Sequence, residues 1–281
     1  MAKIVGGLTS SHIPSVGNAY ARKLFQDPYW KPFFDAYPKI HTWLGEKKPD
    51  VAVILYNDHG LNFFLDKMPT FAIGAAFEYN NQDEGWGIPV VGTFKGHPEL
   101  SWHIINSIQA ENFDLTTCQE MAVDHGFAVP AQLFWGNPDE NQMRFIPICI
   151  NTVQHPIPTP ARCYAFGQAL GRALASYKGD EKIVVVGTGG LSHQLDGERA
   201  GFINKKFDLY CMDKIVHEPE ELAKMTTHDL VLEAGAQGAE FILWLAMRGA
   251  LEGQGTVTKV MENYHIPISN TGAGSMVLEL T

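Results

Sequence analysis

Short apolar runs alternate with longer amphipathic stretches along this chain. The apolar runs lie near residues 3, 51, 71, 145, 183 and 276, are rich in valine and isoleucine, and have the length of buried strands. Between them, apolar residues recur at helical spacing over residues 30–43, 98–110, 161–176 and 227–251. This succession predicts an α/β fold: a mixed central sheet flanked by helices on both faces, with the active site at the strand ends.

Histidines follow several of these apolar segments. Four of them lie beside glycine or proline turns at or near a segment's end: His12, His59, His125 and His193. Because open α/β sheets carry their chemistry at the carboxyl ends of strands, these side chains are candidates for a functional site. A single histidine at a strand end is more often a hydrogen-bonded turn residue, so the pattern alone leaves both interpretations open.

Glu240 lies inside an almost wholly apolar helical stretch, residues 239–247. A buried, unpaired carboxylate costs several kcal/mol, so this side chain needs a strong partner, either a metal ion or a cation such as Arg248. Two histidines and one carboxylate are the ligand set of non-haem Fe(II) oxygenases. From the residues alone, a metal site and an ordinary ion pair both remain open.

Acidic residues outnumber basic ones by 31 to 21, which gives a formal net charge of −10. Such a chain lacks the basic surface that nucleic acids and anionic membranes require, although local hydrogen-bonding groups would suffice for a small anionic substrate. The cysteines are widely spaced, and neither a leader segment nor an apolar run of roughly 18 residues is found. We therefore expect a soluble cytoplasmic protein with reduced thiols.

Seven segments of the sequence carry a resemblance to a known family: residues 9–14, 56–59, 83–87, 95–98, 123–126, 187–195 and 265–271. Together they resemble the type II, or class III, extradiol ring-cleaving dioxygenases, and among these the catalytic β chains of protocatechuate 4,5-dioxygenases. The resemblance extends over nearly the whole chain in order. It implies that residues 1–281, which contain no repeat or linker, form a single catalytic dioxygenase domain.

The resemblance also implies roles for individual residues. His12, His59 and Glu240 would bind Fe(II), and His193 would be an acid/base that does not bind the metal. His125 would lie near a substrate hydroxyl.

Further residues match less specific parts of the family pattern. Ser269 and Asn270 fall in a turn that would lie near a carboxylate on the substrate ring. Asn57 would contact either the substrate or a metal ligand. The role of Asp58 is left open, with orientation of the backbone or of a ligand as the interpretation.

The reaction implied is Fe(II)-dependent extradiol cleavage of protocatechuate with O2 to 4-carboxy-2-hydroxymuconate semialdehyde, in the catabolism of aromatic compounds. Gallate or 3-O-methylgallate is the alternative substrate, and an iron-free binding homologue or a zinc hydrolase of the same fold is a further alternative. The family also implies a partner, a small helical α chain that covers the active site in an α2β2 heterotetramer. In gallate dioxygenases an equivalent segment is fused behind the catalytic part.

Overall fold

The computed structural model describes residues 1–267 and 269–281, so that Ile268, part of the 265–271 segment, lies outside the described residues. The strands are β1 (Lys3–Ser10), β2 (Val51–Tyr56), β3 (Phe71–Gly74), β4 (Glu78–Asn81), β5 (Phe94–Lys95), β6 (Thr116–Cys118), β7 (Ala122–Val123), β8 (Arg144–Ile150), β9 (Lys182–Thr188), β10 (Val257–His265) and β11 (Ala273–Leu280). The helices are α1 (Pro14–Ala21), α2 (Lys31–Phe34), α3 (Tyr37–Lys47), α4 (Pro98–Ala110), α5 (His125–Trp135), α6 (Pro160–Ser176), α7 (Lys205–His217), α8 (Pro219–Ala223), α9 (Thr227–Ala234) and α10 (Phe241–Leu251), with 3-10 turns at Pro138–Glu140 and Gln237–Glu240.

The main sheet of the described residues has eight strands in the order β10-β11-β1-β9-β2-β8-β3-β6. Its centre, β1-β9-β2-β8, is parallel, whereas β11 and β3 run antiparallel to β1 and β8. The four central strands therefore end at one edge, called here the carboxyl edge. A smaller group, β5-β4-β7, lies beside the main sheet.

Alternation along the strands divides the hydrophobic core between the two faces of the sheet. Val53 and Leu55 of β2 belong to a cluster with α4, α6, α7 and α10, whereas Ile54 and Tyr56 belong to a cluster with α1, α2, α3 and α5. Because successive side chains of a strand point to opposite faces, a strand buried on both sides reads as a continuous apolar run. This confirms the predicted α/β fold with helices on both faces of a mixed sheet.

Two helices that were predicted to be continuous are each interrupted, so these two predictions are wrong in that respect. The helix expected over 30–43 is divided into α2 and α3, because Pro38 has no N–H to donate back across the junction. The helix expected over 227–251 is divided at Gly235, which has φ of 87° and ends α9. A Cβ at Gly235 would lie 2.3 Å from the carbonyl oxygen of His193, so the chain passes too close here for a regular helix.

Strand β10 is not predicted from the sequence. It is partly exposed and carries Thr258, Lys259 and Glu262, so it shows no apolar run. The predicted helix over 98–110 is confirmed in full as α4. All four cysteines are free, and no helix in the described part of the chain is long and apolar enough to cross a membrane.

Candidate metal centre and active site

Three side chains from separate segments meet at the carboxyl edge. His12 follows β1, His59 follows β2, and Glu240 ends the 3-10 turn before α10. The Nε2 atom of His12 lies 3.4 Å from Oε2 of Glu240, and Nε2 of His59 lies 3.7 Å from Oε1. The carboxylate of Glu240 is thus placed between the two imidazoles.

The other nitrogen of each imidazole is held by a neighbouring side chain. Nδ1 of His12 lies 3.1 Å from Oγ1 of Thr188, at the end of β9. Nδ1 of His59 donates to Oδ2 of Asp124 at 2.9 Å, and the backbone N–H of His59 donates to the same oxygen at 2.7 Å. With Nδ1 engaged in both rings, the two Nε2 atoms face Glu240. Metal-binding histidines show this arrangement.

Glu240 is buried, with 6% of its surface exposed. Its Oε2 accepts a hydrogen bond of 2.8 Å from the backbone N–H of Gly190, and its Oε1 accepts one of 3.3 Å from Nδ2 of Asn57. The alternative ion pair with Arg248 is wrong, because that guanidinium binds Glu252 at 2.8 Å. Among the described residues, the ion-pair partners of Glu240 are the two histidines.

The electrostatics of this group favour a cation. Burial opposes the charged form of His59, but the carboxylates of Asp124 and Glu240 outweigh it and raise the pKa of His59 to about 10. Burial likewise opposes ionisation of Glu240, yet the nearby imidazoles, His12 foremost, hold its pKa well below its usual range. A site that holds a proton this tightly would also stabilise a divalent cation in the proton's place. Two imidazole nitrogens and one carboxylate fit Fe(II).

A third imidazole lies beside this group. The ligand atoms of His12, His59 and His125 all lie within 4.8 Å of one another, and the rings of His59 and His125 are 4.1 Å apart between centroids. By distance alone His125 could also be a ligand. Glu240 is the stronger candidate for the third ligand, because its buried carboxylate has no cationic partner among the described residues other than the imidazoles of His12 and His59.

His193 follows β9 and lines the same cavity. Its Nδ1 lies 2.9 Å from the carbonyl oxygen of Leu191, which can only accept, so Nδ1 carries a proton and Nε2 is the nitrogen left for other partners. The backbone N–H of His193 donates to the carbonyl of Ala234 at 2.8 Å. The loop is fixed further by Asp208, which accepts hydrogen bonds from the backbone N–H and the hydroxyl of Ser192.

The cavity above these histidines has a volume of about 430 Å³, the size of a small-molecule site. It contains His12, His59, His125, His193 and Glu240 in its wall, together with Ile13, Pro14, Ser15, Asn18, Trp86, Gly190, Leu195, Gln237, Ser269 and Thr271. The wall therefore combines apolar and aromatic groups with hydroxyl and amide groups beside the four histidines and Glu240.

The remaining predicted residues differ in whether they line the cavity. Ser269 lines the cavity, whereas Asn270 is exposed and is not part of the lining. Asn57 is buried beside Glu240 and is also absent from the lining, which favours its interpretation as a ligand contact. Asp58 accepts hydrogen bonds from the backbone N–H groups of residues 60–63, so it orients the backbone of the turn after β2.

Sequence reasoning missed the carboxylates that hold the histidines. Asp124 carries a local signal, because it is the N-cap of α5 and accepts from the N–H of Gly126. That signal says nothing about His59, which is 65 residues away in the chain. Glu84 lies in a segment that the resemblance included, but no role was assigned to it.

Comparisons with known proteins identify the class of this site. A family model described as the catalytic LigB subunit of aromatic ring-opening dioxygenase matches residues 6–274. The chain belongs to this family, which confirms the predicted class of enzyme at the level of the family. It is also similar in fold to an uncharacterised protein of Escherichia coli K12, with a TM-score of 0.58 over 97% of this chain and 99% of that one, at 13% identity.

Two curated relatives show the degree of similarity. A gallate dioxygenase of Pseudomonas putida is 40% identical over 200 residues, which cover 70% of this chain and 57% of the relative. A 2,3-dihydroxyphenylpropionate/2,3-dihydroxicinnamic acid 1,2-dioxygenase of Rhodococcus jostii is 32% identical over 186 residues, which cover 66% of this chain and 55% of the relative. The chain thus spans a little over half the length of these relatives.

Proposed function

We propose that this chain catalyses Fe(II)-dependent extradiol cleavage of a catechol ring that carries a carboxylate, with O2 as co-substrate. The observation that carries the proposal is the placement of the buried Glu240 carboxylate between the Nε2 atoms of His12 and His59. These three side chains would hold Fe(II) and would leave positions on it for a substrate and for O2. When bound, the iron would supply the redox coupling between the ring and oxygen.

The protein's own residues would orient the substrate. Ile13, Pro14 and Trp86 give the cavity apolar walls, against which a flat ring can pack while water is excluded. The hydroxyls of the catechol would point towards the metal ligands, where His125 and His193 also face the cavity. The ring is thereby bound between hydrophobic surfaces, with its reactive edge at the histidines.

His193 would move a proton during the reaction. Because its Nδ1–H is bound to the carbonyl of Leu191, Nε2 can accept a proton from a substrate hydroxyl and later return it. His125 would contact a substrate hydroxyl through its own Nε2, since its Nδ1 is bound to Glu84. Two histidines with fixed ring orientations would thus act on the substrate's diol.

Hydroxyl groups in the cavity wall would bind the ring carboxylate. The Oγ atoms of Ser15 and Ser269 are buried at the cavity without a hydrogen-bond partner among the described residues. Buried polar atoms normally have partners, so these two are suited to donate to a substrate oxygen. This supports a ring carboxylate, which protocatechuate, the first candidate, and gallate, the second, have in common. The 40% identical gallate dioxygenase supports gallate.

We also propose that a small helical α chain covers the cavity, in an α2β2 assembly. Trp86 and Leu195 line the cavity yet are 57% and 66% exposed, which leaves two large apolar side chains at its mouth. Large exposed apolar groups at a site commonly mark a surface that a partner covers.

Oxygen uptake by the Fe(II)-loaded chain tests the function, with protocatechuate, gallate and unsubstituted catechol as substrates, with and without an α chain. We expect uptake with the carboxylated substrates, a yellow semialdehyde product from protocatechuate, and little uptake with catechol. No O2 consumption by iron-loaded protein on any of the three would refute the proposal. Substrate turnover without O2 by zinc-loaded protein would instead support a hydrolase.

A further inference from the structure

Glu84 holds His125 through two hydrogen bonds. Its Oε1 lies 2.8 Å from Nδ1 of the ring, and its Oε2 accepts from the backbone N–H of His125 at 2.6 Å. Both side chains are largely shielded, at 14% and 5% exposure. The two residues are 41 positions apart, so this contact joins the loop after β4 to the first residue of α5.

The same arrangement occurs at the neighbouring ring. Asp124 accepts from the backbone N–H and from Nδ1 of His59, as Glu84 does from His125. The two rings lie 4.1 Å apart at an angle of 30°. Each of the two neighbouring imidazoles is therefore fixed by its own carboxylate through Nδ1. Nε2 of His59 faces Glu240 and Asn57, whereas Nε2 of His125 is the nitrogen left for the cavity. Only His59 of this pair belongs to the proposed ligand set.

We propose that Glu84 is a positioning residue, which holds Nε2 of His125 towards the cavity so that it accepts a hydrogen bond from a substrate hydroxyl. An imidazole free to rotate about its Cβ–Cγ bond would lose this alignment, and it could present a donor where the substrate requires an acceptor. The two-point contact prevents both. The inference rests on the proposed function, since it concerns the contact between His125 and a catechol.

Glu84 has a second structural effect that the test must separate. Its loop also carries Trp86 in the cavity wall, whose carbonyl accepts a hydrogen bond of 2.7 Å from Nδ2 of Asn18. Loss of Glu84 could therefore displace Trp86 instead of rotating His125. The two effects can be distinguished by removing the imidazole of His125. Rotation of His125 then has no further consequence, whereas displacement of Trp86 would still weaken binding.

A double-mutant cycle makes this separation. Glu84→Gln and His125→Ala are compared singly and together, by the dissociation constant of the catechol substrate under anaerobic conditions and by kcat/KM. Asp83→Asn is the matched control, because it removes the same charge from the same loop. Asp83 is exposed, and among the described residues its side chain accepts a hydrogen bond from Gly85 alone, within the loop.

We expect Glu84→Gln to weaken anaerobic binding and kcat/KM by roughly 10- to 100-fold, the range for a hydrogen bond to a charged group. Asp83→Asn should match the unsubstituted protein, and iron content should stay near normal in all variants. In the His125→Ala background, Glu84→Gln should have no further effect, within about twofold. A further loss there, or no loss in the single variant, would overturn the proposal.

Two additions keep the outcome decisive. If Glu84→Gln does not fold, Glu84→Asp replaces it in the cycle, because the shorter side chain keeps the charge but withdraws it from Nδ1. Anaerobic binding is measured without turnover, so it reports on Glu84 even if the iron-loaded protein consumes no O2. In that case the proposed reaction fails, while the cycle still decides whether Glu84 acts through His125.

Discussion

Oδ2 of Asp124 accepts hydrogen bonds from both the backbone nitrogen and the ring Nδ1 of His59, at 2.7 and 2.9 Å. One buried oxygen thus fixes the position of the residue and the direction of its ring. His59 favours the ionised form of this carboxylate. Burial opposes the charge, but the His59 imidazole outweighs burial and holds the pKa of Asp124 below its usual range. The anion is therefore present to orient His59 at neutral pH.

Asp124→Asn should weaken iron binding by roughly 10- to 100-fold, the usual effect of removing a carboxylate that orients a metal-binding histidine. Asparagine is itself a good N-cap, so α5 should remain intact. Competition with a chelator measures the affinity, and circular dichroism checks the fold. An unchanged iron affinity would show that Asp124 does not act through His59.

His193→Ala should leave iron content near normal and lower turnover by about 10²- to 10⁴-fold, the contribution of a positioned acid/base. His217→Ala is the control, because its imidazole is largely exposed and lies on α7, away from the cavity. Steady-state kinetics and metal analysis on the same samples measure both effects. Turnover equal to that of the control would refute the role of His193.

Gly189→Ala should abolish iron retention. A Cβ at this position would lie 2.8 Å from Oε2 of Glu240 and 3.1 Å from Cε1 of His12, and φ is 79°. Gly253→Ala is the matched control, because φ there is 73° and nothing lies within 4 Å of the added carbon. Both variants should lose about 1 kcal/mol or more from the strained backbone. Retention of iron by Gly189→Ala would show that the ligands can shift freely.

Asp208 should make the free energy of unfolding fall as pH rises. Burial raises the pKa of this carboxyl above its ordinary value of 3.8, despite hydrogen bonds from Ser192 and Tyr264. The folded state therefore binds the proton more tightly than the unfolded state, and this stabilisation is lost as pH rises from about 3.8 through the folded pKa.

Urea unfolding of Asp208→Asn and of the unsubstituted protein between pH 4 and pH 8 tests this. The difference in unfolding free energy should shift in favour of Asp208→Asn as pH increases. A difference that is constant with pH would contradict the raised pKa.

The central strands could be predicted from the sequence because burial on both faces makes them continuous apolar runs, as in Val51–Tyr56. The division at Gly235 could not, since it depends on the approach of the His193 carbonyl from a distant loop. Nor could β10, whose polar residues are tolerated near the edge of the sheet. Local sequence patterns thus predict elements whose own residues form an apolar run. They do not predict helix breaks or strands that depend on contacts with distant segments.

The candidate site divides in the same way. Strand-end histidines and a glutamate in an apolar helix made His12, His59, His125, His193 and Glu240 candidates, and the resemblance implied their roles. The structure brings all five to one cavity. The partners Asp124 and Glu84 come from segments 65 and 41 residues away from the histidines they hold. These contacts arise from the packing of loops at the carboxyl edge. They therefore cannot be predicted from the spacing of residues in the sequence.

Iron occupancy of Glu240→Ala tests the central claim most directly. Without this carboxylate, the site keeps two imidazoles and loses its only negative ligand, so we predict that the purified variant retains almost no iron while His12 and His59 are intact. Glu262→Ala, a change at an exposed glutamate of β10, should retain the metal fully. A folded Glu240→Ala protein with the same iron content as this control would contradict the proposed metal centre.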